Sequence, residues 1–180
     1  MLKLVIPAIE GFNETTCEFV PIAKECVLHL EHSLVSISKW ETKWCKPFLS
    51  KTPKTREESV DYIRCMTLTQ NVDPEVYSRI TDEHIRQVNA YMDTPMTATT
   101  FSKDNRPPSR DIITSEVIYY WMIASGIPPE YQKWPLARLL TLINVCAIKG
   151  APPKKMSQKE LLSRNRAMNA SRRKSLGTKG

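Results

Sequence analysis

Val27-Leu28-His29-Leu30-Glu31-His32-Ser33-Leu34-Val35-Ser36-Ile37-Ser38-Lys39-Trp40-Glu41-Thr42-Lys43-Trp44 changes its hydrophobic period halfway along. Up to His32 the period is two: Val27 and His29 fall on one face, and Leu28 and Leu30 on the other, as in a strand. From Ser33 it becomes three and four, which puts Ile37, Trp40 and Trp44 on one face of a helix that Pro47 would stop. A chain that switches from strand to helix here, with thirty-odd β-prone residues before and over a hundred helix-prone residues after, is expected to be α+β.

Working towards the N-terminus, Leu2-Lys3-Leu4-Val5-Ile6 is a short apolar run ended by Pro7, and Cys17-Glu18-Phe19-Val20-Pro21 alternates. Gly11-Phe12-Asn13-Glu14 between them reads as a turn. These runs predict a small antiparallel sheet. Towards the C-terminus, Thr55-Arg56-Glu57-Glu58 matches a capping box and opens a helix through Val60, Ile63 and Met66. Asp73-Pro74 and Thr81-Asp82-Glu83 start two more, the second carrying Ile85, Val88 and Met92. Met96 to Phe101 reads as extended and residues 102–110 as a polar loop. Thr114 is the expected cap of a very apolar helix stopped by Gly126, and Pro135 the start of the next, with Leu136, Leu139, Leu140, Leu142, Ile143 and Val145. Leu139 and Trp121 are expected in the core. Ser157-Gln158-Lys159-Glu160 is a second capping-box sequence, opening a helix with a thin apolar face.

Organisation follows from Gly150-Ala151-Pro152-Pro153, the sharpest boundary in the chain. Residues 1–150 are expected to form a globular domain, β-rich over 1–32 and helical over 33–150, and residues 151–180 a basic tail. Charge divides at nearly the same place. From Lys149 onward there are ten basic side chains and one acid, Glu160, a net +9; the preceding 148 residues hold sixteen bases and eighteen acids, a net −2. The pI near 9.2 is thus a property of the tail. Lys154, Lys155, Arg164, Arg166, Arg172, Arg173 and Lys174 are therefore the candidate partner-binding residues. Nucleic-acid phosphate is a second possible ligand for them. The tail has no aromatic residue, so such contact would run through the backbone without base stacking.

Other function classes find little support. Cys26-x-x-His29-x-x-His32 groups potential metal ligands, but in a strand Cys26 and His29 face opposite sides, so no metal is expected. Three histidines and five glycines leave no readable Ser-His-Asp arrangement and no phosphate-cradling loop, and His84 lacks a nucleophile's surroundings. The adjacent acids Glu57/Glu58 and Asp82/Glu83 sit at helix starts, where the helix dipole explains them. No catalytic residue and no cofactor is expected, and the chain is read as a non-enzyme. Cys17, Cys26, Cys45, Cys65 and Cys146 are odd in number and widely spaced, expected as free thiols filling the core. No stretch approaches the roughly 18 apolar residues of a membrane span, and the N-terminus is too soon broken for a secretory signal. A soluble intracellular protein is expected. Tyr119-Tyr120-Trp121 cannot all point inward on one helix, which leaves an exposed aromatic patch as an alternative to pure core.

Six segments together carry a resemblance: Ser36-Ile37-Ser38-Lys39-Trp40-Glu41, Asp61-Tyr62-Ile63-Arg64-Cys65-Met66-Thr67, Pro95-Met96-Thr97-Ala98-Thr99, Tyr119-Tyr120-Trp121-Met122-Ile123, Arg138-Leu139-Leu140-Thr141-Leu142-Ile143 and Pro152-Pro153-Lys154-Lys155-Met156-Ser157. The chain resembles a family of morphogenesis proteins encoded by tailed phages and prophages of Gram-positive bacteria, similar to tail assembly chaperones. The resemblance implies a non-enzymatic protein of the host cytoplasm or the virion. Its implied partner is the tape measure protein, which such chaperones coat before the tail tube polymerises. It brings no residue-level motif, so the candidate residues rest on charge alone.

Overall fold

The computed structural model describes residues 1–13, 17–101, 112–150 and 158–177. Over these the chain is α+β. Four strands come first: β1 (Leu2–Ile6), β2 (Ile9–Asn13), β3 (Glu18–Ala23) and β4 (Cys26–Leu30). The helices follow: α1 (Leu34–Trp44), α2 (Arg56–Met66), the single turn α3 (Glu75–Ser78), α4 (Asp82–Met92), α5 (Ser115–Ala124), a 3-10 segment Pro129–Lys133, α6 (Leu136–Gly150) and α7 (Gln158–Leu176). Contacts divide the chain into two compact units, residues 1–147 and 148–180.

In the first unit β1 pairs antiparallel with β4, Leu4 opposite Leu28 and Leu2 opposite Leu30. Leu4, Ile6, Leu28 and Leu30 are fully buried while Lys3 and Val5 face solvent, the alternation of a sheet covered on one side. Residues Gly11 to Asn13 are strand rather than turn, because β2 pairs with β3 in a separate two-stranded ribbon. A Cβ at Gly11 would lie 2.5 Å from Ile22 Cδ1, so a larger residue there would push aside the exposed end of the Ile22 side chain. Arg79 ties the ribbon down at both ends, its Nη1 donating to the carbonyls of Pro7 (2.9 Å) and Lys24 (3.2 Å).

α1 supplies Leu34, Ile37 and Trp40 to a core shared with Tyr62, Ile63 and Met66 of α2, Ile118 and Met122 of α5, and Leu136, Leu139 and Ile143 of α6. Leu139 is fully buried as expected; Trp121 is only half-buried, since Ile118 and Met122 hold the inward face of α5. Three helices start on reciprocal caps. The Thr55–Glu58 box forms as the sequence predicts, Ser33 pairs with Ser36, and Thr81 with His84. The Thr114 side chain makes no cap hydrogen bond; instead the Glu41 carboxylate accepts from Ser115 N–H. Gly126, at φ 66°, follows the end of α5 as expected. α1 ends at Cys45, left-handed at φ 51°, before Pro47 is reached. Residues 96–101 carry no strand, and the 3-10 segment after Pro128 was not legible. Cys26, Cys65 and Cys146 are half-buried and pack against the core, whereas Cys17 and Cys45 are exposed and do not.

In the second unit α7 is a 19-residue helix whose described side chains are all exposed. Ser157 and the Glu160 side chain, the halves of the expected capping box, lie outside the described residues, as does the polar loop 102–110.

Candidate partner-binding helix and the surfaces around it

Lys159, Arg166 and Arg173 recur every seven residues along α7 and so share one face. Lys174 and Arg172 flank that face on either side, and Arg164 lies on the opposite side of the helix. Leu162 lies beside that row, Leu176 about a quarter turn from it, and Leu161 and Met168, seven residues apart, on the far side of the helix; all four are exposed. The helix therefore offers a row of cations together with exposed apolar side chains that do not gather into one band. Of the seven residues singled out by charge, Arg164, Arg166, Arg172, Arg173 and Lys174 are on α7, spread around it rather than gathered into one pocket. Lys154 and Lys155 lie outside the described residues. Basic side chains dominate its last turn, Arg173 and Lys174, where the helix dipole favours them.

The aromatic segment of α5 splits as helical geometry requires. Tyr119 and Trp121 are half-buried, and the Tyr119 hydroxyl donates to Gln132 Oε1 at 2.9 Å. Tyr120 is 67% exposed, and Ile123, one turn on, is 78% exposed. Glu116, Tyr120 and Ile123, at spacings of four and three, mark one outward face of α5. Tyr131 and Trp134 pack together at 4.3 Å between ring centroids, and the Arg138 guanidinium lies 4.2 Å from the Trp134 ring.

The Cys26, His29 and His32 cluster is not brought together. Cys26 points to the side of Leu28 and Leu30, His29 to the other, and the His32 Nδ1 is 2.5 Å from the Tyr62 hydroxyl oxygen. Burial pushes the His32 imidazole down to about 4, against the pull of Glu31 and Asp93. Tyr62, buried beside it, has its hydroxyl pushed above the ordinary tyrosine range, also by burial. Among the described residues no group of three metal-ligating side chains converges, and no helix is long and apolar enough to cross a membrane. No family model, no curated protein and no solved structure matches this chain.

Proposed function

We propose that this chain is a non-enzymatic phage tail morphogenesis protein, an assembly chaperone that binds the tape measure protein. The sequence resemblance motivates the reading, and the single structural observation that supports it is α7. An exposed basic helix that also exposes apolar side chains has what is needed to dock on another helix: charge to steer the encounter and Leu161, Leu162 and Met168 to bury on contact. The outward pair Tyr120 and Ile123 is a second surface of the type that carries interface energy. The decisive experiment is co-expression with the tape measure protein encoded in the same phage genome, followed by co-purification. The full chain should retain that protein, and a variant carrying Leu161→Ser, Leu162→Ser and Met168→Ser should lose it. Retention of the tape measure protein by the variant, or no retention by the full chain, would overturn the proposal.

The cation row on α7 favours one second reading, contact with nucleic-acid phosphate. The two separate by salt. Phosphate binding by six or more cations should weaken about a thousandfold between 50 and 200 mM salt, whereas burial of an apolar face should not.

A further inference from the structure

Between the end of α1 and the start of α2 the chain folds back over its own helices and leaves a cavity of about 270 Å³. Trp40, Pro47 and Pro53 wall it, and the hydroxyls of Ser50 and Thr52, the Lys54 ammonium and the Lys46–Glu58 ion pair edge it. Apolar walls with a few convergent polar groups are the composition of a small-ligand site. The charges there are unequal. Glu58 is fully engaged: one oxygen accepts from Lys46 and the other from the Thr55 N–H at 2.8 Å. Lys54 takes part in none of the ion pairs among the described residues. Its ammonium is held instead by aromatic faces, 4.3 Å from the Phe48 ring centroid and 6.0 Å from that of Trp40. Burial lowers the affinity of this amine for its proton, and the nearby Glu58 carboxylate opposes the shift. Ser50 Oγ donates to Thr52 Oγ1 at 3.1 Å, which leaves the Thr52 proton free to donate to an incoming oxygen.

We propose that this cavity binds an apolar group bearing a carboxylate, its body against Trp40, Pro47 and Pro53 and its carboxylate between Lys54 and the Thr52 hydroxyl. The chemistry is shared by a free amphiphilic acid and by the C-terminal residue of a polypeptide. The site is built from residues of the first unit alone and does not depend on the tail reading.

The Trp40 indole N–H, which donates to the Glu58 carbonyl at 2.9 Å beneath the cavity, is the reporter. Its nuclear magnetic resonance signal should shift on titration with N-acetyl-phenylalanine. N-acetyl-phenylalaninamide, which lacks the charge, should bind about tenfold more weakly or worse, and Lys54→Gln should weaken the acid equally. Lys54→Arg should restore most of the affinity, which a merely structural role for Lys54 would not predict. A pentapeptide ending in phenylalanine that binds tenfold tighter than the acetylated amino acid identifies a chain terminus as the source; equal affinity identifies a free acid. Either result supports the assignment. A Trp40 signal unmoved at about 10 mM acid, equal affinity for acid and amide, or full affinity in Lys54→Gln would overturn it.

Discussion

Glu41 shows how much one side chain settles in this fold. It is buried on α1, and its two oxygens accept separate backbone amides, Phe48 N–H at 2.8 Å and Ser115 N–H at 2.7 Å. One carboxylate thus fixes the loop after α1 and starts α5. Glu41→Ala would leave both buried amides unpaired and should cost roughly 3–5 kcal/mol in urea unfolding, while Glu41→Gln, which keeps one acceptor, should lose about half of that. Equal losses for the two would mean the carboxylate is not the shared acceptor. His32 makes a second residue-scale prediction. Its folded pKa of about 4 lies below the ordinary 6.5, so between those values the unfolded chain binds more protons. Stability is fully present above pH 6.5 and is lost as pH falls towards 4, by roughly 3 kcal/mol in the limit. Glu58 acts at the acid end of that window: Lys46 and Thr55 hold its carboxyl below its ordinary 4.5, so its contribution is present above that value and is lost only below it. Melting curves from pH 7 to 4.5 should show the loss in the native chain and a flatter profile in His32→Gln; an equal slope in both would remove His32 as its source.

Among the elements, the β2–β3 ribbon is the least supported. It stands as a two-stranded sheet, with Phe12 55% and Ile22 70% exposed, and a lone hairpin is marginal in water. Arg79 compensates by bridging the carbonyls on either side of it. Arg79→Met removes the donor nitrogen that serves both carbonyls, so amide exchange over β2 and β3 should quicken at least tenfold while β1 and β4 stay protected. Uniform quickening across both sheets would show that Arg79 supports the whole unit instead. The ribbon also shows where sequence reading ends. Caps such as Thr55–Glu58 and the Gly126 stop are local, decided by residues three or four apart, and were legible. Gly11-Phe12-Asn13 has turn composition, and only pairing with β3 makes it a strand. Thr114 sits at the cap position, yet the Ser115 N–H is accepted by Glu41, distant in sequence, and the left-handed Cys45 ends α1 ahead of Pro47. The candidate sites divide the same way. The cations of α7 are compositional and visible in the sequence. The cavity beside Lys54 exists only once Pro47 and Pro53 have folded back over Trp40, a juxtaposition no spacing announces.

At the scale of the whole molecule, charge and burial divide at nearly the same place. Residues from Lys149 onward hold ten bases and one acid, and the described side chains of α7 are all exposed. Among the described residues the buried apolar ones all precede Ala147, the last of them Ile143 of α6. A segment that buries no apolar side chain has little hydrophobic free energy to contribute, since that term scales with area removed from water. A chain ending at Ala151 is therefore expected to fold and to melt within about 3 °C of the full chain, because a change of 1 kcal/mol moves the midpoint by roughly 2–4 °C at this size. Removing residues 152–180 also takes away nine bases and one acid, turning the net +7 into −1, so the shortened chain should associate more slowly with an acidic partner, and the difference should vanish at high salt. Paired melting curves and association rates at 50 and 500 mM salt measure both effects, with the low-salt difference being the one screening would abolish. A fall of more than about ten degrees would mean that residues 152–180 carry core after all, with Leu161, Leu162 and Met168 the first side chains to test.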